Sequence, residues 1–380
     1  MIRLLIIGGK LQGIEVAYLA EKAGFYTVLV DKNEAAPAAL LADRFVREDI
    51  YSSDSMLRLY KEADAVIPAI EDVKILRRLM EYGEMTGKKV IFDENCYRIS
   101  SSKNASNEMF EKLGLPIPGK YPDCSYPVII KPDSLSGSSQ VYKACSREEA
   151  EAFLSRIDGA AVIQEYLEGR SFSLEVIGDG IHFYYPQITE VITDEDYDCK
   201  RIIAPAQISR ELSGQFFEIA RRLAVYLKIQ GIFDIEVICH NGKLKLLEID
   251  ARFPSQTPVS IYHSTGLNMV KMLVSLAAGN CLAAAEITDK VCCYQQLLVR
   301  EDEIRVVGEH VIGEGGNLRL VKDFFGAEEG ITDYEKGKKC WRAIMIVTAD
   351  SSEGAYEKFL VCIENIKKEL KNPTLKFTEG

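Results

Sequence analysis

The stretch Gly231-Ile-Phe-Asp-Ile-Glu-Val-Ile-Cys-His-Asn-Gly-Lys-Leu-Lys-Leu-Leu-Glu-Ile-Asp-Ala-Arg252 decides how the rest of the chain is read. Apolar residues alternate with polar ones on both sides of Asn241-Gly242, the pattern of two strands joined by a hairpin turn. The hairpin brings Glu236, Glu248 and Asp250 together, with Arg252 just beyond. Three carboxylates on mostly apolar strands are destabilising unless a cation offsets them. Divalent ions carrying a nucleotide triphosphate are the obvious candidates. Register decides whether the acids share a face. A two-residue Asn241-Gly242 loop pairs Glu236 with Leu247 and turns Glu248 to the opposite side. A three-residue loop, His240-Asn241-Gly242, pairs Glu236 with Leu246 and Glu248 with Asp234, which keeps the acids together. The second arrangement is the expected one, giving a three-carboxylate cluster able to hold two ions of Mg2+, with Mn2+ as a substitute. An edge hairpin with solvated acids is the plainer alternative.

Working outward, 380 residues exceed what one hydrophobic core usually organises and point to two or three domains. Hydrophobic residues make up 47% of the chain, and no charge-free run is long enough to span a bilayer. The opening Met1-Ile-Arg-Leu-Leu-Ile-Ile-Gly-Gly9 has too short an apolar run for a signal peptide and reads as a first buried strand. A formal charge of -11, with no basic stripe, argues against a nucleic-acid partner. Ten scattered cysteines without a Cys-x-x-Cys pair, and four histidines, argue against a zinc site or a disulfide framework. A soluble cytoplasmic protein without a membrane partner is expected.

Strands alternate with helices from the N-terminus to about residue 95, as in a mostly parallel α/β domain. Residues 96–119 read as a connecting segment with one helix, Lys103 to Leu113, halted by Gly114 and two prolines. Residues 120–177 form a compact α+β module with strands at Tyr126–Lys131, Ser139–Lys143 and Ala161–Leu167. A larger α+β domain, 178–368, carries the acidic hairpin, helices at 211–228 and 266–278, and later strands such as Ala343–Val347. The last dozen residues, 369–380, are expected to fray.

Three further pieces carry chemistry. Gly8-Gly9-Lys10-Leu11-Gln12-Gly13, with Asp31 ending the second strand, has the outline of a dinucleotide fingerprint. Lys10 stands where a glycine should let the backbone approach a cofactor, so a structural or substrate-facing turn at Gly9, Lys10 and Leu11 is the better reading. Lys131 ends an apolar strand and is followed by Pro-Asp-Ser134-Leu-Ser136-Gly137-Ser138-Ser139. Small residues between strands offer backbone N–H groups to phosphates while the lysine supplies a point charge; an ordinary turn has the same composition. Gln164-Glu165-Tyr166-Leu167-Glu168 closes the next strand, either as a hinge whose backbone reads a flat base or as a strand end.

In this order — lysine strand, small-residue loop, hinge, acidic hairpin — the pieces resemble the ATP-grasp superfamily of carboxylate–amine ligases, and the resemblance spans nearly the whole chain. It implies an N-terminal parallel-sheet domain like that of biotin carboxylase, a small central α+β domain and a larger C-terminal one. ATP and magnesium are the implied cofactors. By family pattern Lys103 and Lys131 match the nucleotide lysines, Ser134, Ser136, Gly137 and Ser138 the phosphate-covering loop, and Gln164 to Glu168 the adenine hinge. Glu236, Glu248 and Asp250 match the metal ligands, and Arg252 the arginine facing the transferred phosphoryl group. Asp250 departs from the commoner asparagine. Arg170-Ser171 replaces the usual sequence after the hinge, leaving Glu168 as the nearest substitute for a ribose carboxylate. Asp196-Tyr-Asp-Cys-Lys-Arg201 is similar to the segment of D-alanyl ligases that carries a lysine near the γ-phosphate, a role that falls to Lys200 and secondarily to Arg201. Within the superfamily, the opening thirteen residues, the Lys131 loop and Glu248-Ile-Asp-Ala-Arg-Phe-Pro-Ser-Gln-Thr-Pro258 resemble the ligases of archaeal pyrrolysine biosynthesis. That resemblance implies two cationic amino acids as substrates, 3-methyl-D-ornithine and L-lysine. The segment with Ser255, Ser260 and His263 is expected to line their pocket, and Asp234 or Glu236 to take the amine proton. A homodimer is the base-rate assembly; another ATP-grasp amino-acid or dipeptide ligase is the rival within the same chemistry, and a nicotinamide-dependent oxidoreductase is the rival of a different class.

Overall fold

Leu4-Leu5-Ile6-Ile7 is almost wholly buried because the strand Arg3–Ile7 lies in the middle of an all-parallel sheet covered on both faces. The computed structural model describes residues 1–134, 140–280 and 288–379. These form two units, one of residues 1–92, 199–205 and 252 onward, the other of 93–198 and 206–251.

In the first unit the strands Arg3–Ile7, Tyr26–Asp31, Arg44–Arg47, Ala65–Pro68 and Lys89–Val90 lie in the order third, second, first, fourth, fifth. That order places a topological switch between the first and fourth strands, where open parallel sheets bind ligands. The turn there is tight. Gly8 has φ +103°, and a Cβ on Gly13 would lie 2.3 Å from the Gly8 carbonyl oxygen, so the helix Leu11–Lys22 starts hard against it.

The same unit holds an antiparallel run in the order Cys199–Ala204, Val291–Val299, Trp341–Ala349, Glu329–Thr332, Arg319–Lys322. Glu303–Val306 adds to Val291–Val299, and Lys376–Thr378 adds to Glu303–Val306 in parallel. Residues 376–378 are thus paired rather than frayed. The helix Ser352–Glu369 lays Phe359, Cys362, Ile363 and Ile366 onto Trp341, Ala343 and Met345. The helix expected at 266–278 runs Met269–Ala277, and a further helix, Thr257–Thr265, precedes it and ends at Gly266 in the left-handed region.

In the second unit the strands Tyr142–Ala144, Val128–Pro132 and Ala161–Glu165 form a three-stranded antiparallel sheet. Ahead of it stand two helices rather than one, Glu94–Ser100 and Lys103–Lys112, each capped by a side chain, Asp93 and Ser102 respectively. A second antiparallel sheet runs Lys243–Asp250, Gln230–His240, Arg170–Asp179, Ile188–Thr193.

The acidic hairpin reaches its expected outcome by a different register. Its turn is the two-residue Asn241-Gly242, both at positive φ (50° and 72°), which suits the twist of tightly paired strands. His240 pairs with Lys243 and Val237 with Leu246; a bulge then inserts Leu247, so that Glu236 pairs with Glu248 and Asp234 with Asp250. Ile235 stays opposite Ile249, both buried. The four acids share one face, as cross-strand partners rather than diagonal neighbours.

Trp341 is wholly buried among Phe324, Phe325 and Tyr334. Trp341→Ala should destabilise the protein by roughly 3–5 kcal/mol, the usual result of emptying an aromatic core site. Urea unfolding followed by far-UV circular dichroism would measure it.

Candidate active site

One cavity of about 280 Å³ in the second unit gathers the residues expected to meet a nucleotide. Ile129, Val141, Leu167, Ile238 and Leu247 give it apolar walls, and Lys103, Lys131, Glu236 and Glu248 bring charge to it. Lys131 comes from the strand Val128–Pro132, and Lys103 is the first residue of the helix Lys103–Lys112. The two glutamates come from the hairpin, and the Leu247 bulge supplies one of the walls. Lys103 Nζ stands 3.7 Å from a Glu248 carboxylate oxygen.

The hinge runs along the same cavity with Gln164, Glu165, Tyr166, Leu167 and Glu168 all lining it. The Glu165 N–H donates to the Gly119 carbonyl at 2.7 Å, its carboxylate accepts from the Gly119 N–H at 3.0 Å, and the Tyr166 N–H donates to Pro127 at 3.1 Å. Gln164 is buried. Lys143 Nζ lies 3.7 Å from the centre of the Tyr166 ring, a cation–π contact, and 3.7 Å from the exposed Glu168 carboxylate. Arg170 is bound by Glu190 through two 2.6 Å hydrogen bonds, so the arginine after the hinge has a local partner. Ser134 is exposed beside this strand end, while Ser136, Gly137 and Ser138 lie outside the described residues.

Asp250 sits opposite Asp234 but does not line the cavity. Among the described residues, side chains do not assemble a group of three metal-ligating residues. The expected three-carboxylate cage is therefore not what the side chains form; Glu236 and Glu248, directly opposite each other, are the acids presented to the cavity. That donor set still fits magnesium, which commonly takes one or two carboxylates and completes its shell with phosphate oxygens and water. Asp234 is mostly buried and is not among the residues lining the cavity.

The remaining candidates belong to the first unit. Arg252 Nε lies 2.8 Å from Glu71, and Gln12 Nε2 donates to the same carboxylate. Ser255 and Gln256 both donate to Glu309. Gln256 is held at φ +69°, an unfavourable backbone for a residue with a side chain. Gly9 N–H donates to Asp31 at 2.8 Å, and Asn33 N–H does the same. Asp31 thus braces the turn, which weakens the dinucleotide reading; Lys10 is exposed and Leu11 opens the helix.

Four expected contacts are placed elsewhere. Ser260 is fully buried and its hydroxyl donates to the Gln256 carbonyl one turn back. His263 Nε2 lies 2.6 Å from the Tyr18 hydroxyl and 3.7 Å from Glu329, behind the helix Leu11–Lys22. Lys200 Nζ donates to the Glu379 carbonyl at 3.0 Å. Arg201 is bound by Gln295 and Glu379 and stacks on Tyr356, because alternation along Cys199–Ala204 turns it toward the helix Ser352–Glu369.

Glu71, Gln12, Glu309 and Glu15 escaped the sequence reading. Glu71 carried one usable signal, its place just past the C-terminal end of the strand Ala65–Pro68, the ligand-binding edge of a parallel sheet. Glu15 has no exposed surface to speak of; its carboxyl accepts from the Val259 N–H and the Tyr294 hydroxyl, and so holds the start of the helix Thr257–Thr265. Burial pushes it up to about 8 against those hydrogen bonds.

Comparison with known proteins agrees with this layout. Residues 100–256 match the family described as ATP-grasp domain, and residues 4–91 the family described as PylC-like, N-terminal domain. The chain is 36% identical over 317 residues to the 3-methyl-D-ornithine--L-lysine ligase of Methanosarcina acetivorans, covering 82% of this chain and 84% of that protein. The Methanosarcina mazei ligase of the same name is 36% identical over 315 residues, 82% of each. In fold it is similar to N5-carboxyaminoimidazole ribonucleotide synthetase in its ADP complex, with TM-score 0.72, 17% identity and 97% of both chains covered. It is also similar to the L-amino acid ligase of Bacillus licheniformis, with TM-score 0.71, 16% identity and 96% and 98% covered.

A pH titration tests the account of Glu15. Folded, its carboxyl keeps a proton up to about pH 8, whereas unfolded it ionises near the ordinary carboxylate value of 4.5. Its contribution is therefore fully present below about 4.5 and is lost as pH rises toward 8, at a rate on the order of 1 kcal/mol per pH unit. Urea midpoints of wild type should fall relative to Glu15→Gln across that window; parallel pH curves would contradict this account.

Proposed function

The chain belongs to the ATP-grasp ligases and is closely related to the 3-methyl-D-ornithine–L-lysine ligases, and from that premise we propose that it joins 3-methyl-D-ornithine to the ε-amine of L-lysine as a step of pyrrolysine biosynthesis. The general activity, ADP-forming carboxylate–amine ligation, follows from the family. What supports the finer reading is the 36% identity sustained over 82% of the chain. The nucleotide part rests on the cavity that gathers Lys103, Lys131, Glu236 and Glu248.

In this reading the adenine lies against Ile129, Leu167 and Ile238. With the N–H groups of Glu165 and Tyr166 already used, the Leu167 backbone is the part of the hinge offered to the base edge. Lys103 and Lys131 meet the phosphates. Glu236 and Glu248 would hold magnesium, which neutralises charge on the β and γ phosphates. The substrate carboxylate attacks the γ-phosphorus in line, breaking its bond to the bridging oxygen and giving an acyl phosphate and ADP. The neutral ε-amine of lysine then attacks the acyl carbon, forming the amide and releasing phosphate, and the amine proton leaves to a nearby acid or water. Catalysis of this kind is positioning and charge neutralisation, and needs no side-chain nucleophile. Arg252 and Lys200, which the resemblance matches to the transferred phosphoryl group, are held within the first unit by Glu71 and the Glu379 carbonyl respectively. Glu71 and Glu309 are acids suited to the ammonium groups of diamino acids.

ADP release with single and paired amino acids is the test. Release that requires both 3-methyl-D-ornithine and L-lysine is expected; release with a different pair would reassign the substrates and leave the class intact. Lys131→Ala and Glu248→Gln should each lower kcat/KM by roughly 10²–10³, the scale of losing a main electrostatic contact, with circular dichroism unchanged. Near-normal turnover in either would displace the nucleotide from this cavity.

A further inference from the structure

Asp133 is two residues beyond Lys131 and lines no part of the cavity, yet every polar group it has is committed. Its N–H donates to the Ala160 carbonyl at 2.9 Å, and its carbonyl accepts from the Lys103 N–H at 3.0 Å. One carboxylate oxygen accepts from the Asn104 N–H at 2.8 Å and from Asn104 Nδ2 at 2.9 Å. The Ser102 hydroxyl reaches both oxygens, at 3.1 and 3.0 Å, while itself accepting from the Ala105 N–H. Helix starts leave four N–H groups to be satisfied from outside. Here Asp133 takes those of Lys103 and Asn104, the Ser102 hydroxyl takes that of Ala105, and the Ser102 N–H itself donates to the Ile99 carbonyl.

The helix so fixed begins with Lys103, and Asp133 directly follows the end of the strand Val128–Pro132 that carries Lys131. Lysine side chains are long and flexible, so what fixes their reach is the placement of their backbones. We propose that Asp133 is a positioning residue that sets Lys103 against Lys131 for the phosphates of the nucleotide, through the Ser102–Asn104 cap. The inference rests on the nucleotide reading above and adds a residue that touches no ligand. A plain helix cap would affect the whole pocket alike; a positioning residue affects the phosphate end and spares the base.

Displacement of a fluorescent ATP analogue from the full chain, by ATP with Mg2+ and by adenosine, separates these. Asp133→Ala should weaken ATP at least tenfold and adenosine less than twofold. Asp133→Asn, which retains an acceptor for the Asn104 N–H, should recover most of the loss. Ser102→Ala removes one arm of the cap and should weaken ATP about threefold with adenosine unchanged, which keeps the test alive if Asp133→Ala does not fold. Equal losses for ATP and adenosine in the folded variants, or unchanged ATP affinity in Asp133→Ala and Ser102→Ala, would overturn the proposal. Failure of the wild type to bind ATP would instead remove the nucleotide reading itself, and this inference with it.

Discussion

One extra residue, Leu247, decides which way two acids point. The Asn241-Gly242 turn sets strict pairing from His240–Lys243 to Val237–Leu246. Continued without a bulge, that register would put Glu248 opposite Ile235, on the face where Ile235 and Phe233 are fully buried. Placing a carboxylate there would cost several kcal/mol. The bulge moves Glu248 and Asp250 across and returns Ile249 to the core, so one irregularity satisfies both the apolar side of the sheet and the acidic side. It also leaves Leu247 on the cavity wall.

How much of this was legible depended on the range of the interaction. The alternation on either side of Asn241-Gly242 is local, and the sequence reading found both strands and the shared acidic face. The turn is one residue shorter than expected because a bulge leaves no mark in alternation: Leu246-Leu247 reads as well in one register as the other. Lys103, Lys131 and the hinge were legible through their order along the chain, which the fold then brings to one cavity. Glu71 with Arg252, or Ser255 with Glu309, join positions far apart in sequence, and no periodicity announces such pairs. Ser260 and His263 were placed in a pocket because their segment follows Arg252, but the facing of a helix is set by what packs on it, and Glu15, Tyr18 and Glu329 pack there.

Those same contacts show how differently one fold treats two buried glutamates. Burial raises the pKa of each. Glu329 meets Lys22, the Tyr18 hydroxyl and His263, and these overcome burial and hold it down to about 2. Glu15 meets the neutral N–H of Val259 and the Tyr294 hydroxyl, with Glu309 as an unfavourable neighbour, and burial wins. A cation within reach is what separates a charged structural acid from one that keeps its proton. The first unit therefore carries an ion pair between the helix Leu11–Lys22 and the strand Glu329–Thr332, and a neutral clasp between that helix and the helix Thr257–Thr265.

The cavity of the second unit poses the same question with the opposite balance. Its acids, Glu165, Glu168, Glu236 and Glu248, outnumber its lysines, Lys103 and Lys131. Glu165 is held by the Gly119 N–H, Glu168 lies by Lys143, and Glu236 and Glu248 face each other across the hairpin with Lys103 Nζ 3.7 Å from Glu248. Like charges directly opposite on neighbouring strands are destabilising. A triphosphate entering alone would add negative charge to that surplus. A magnesium ion arriving with it, as in the proposed function, would offset the opposed carboxylates. A nicotinamide dinucleotide offers no such compensation, and Asp31, the acid that would meet its ribose, is occupied with Gly9 and Asn33.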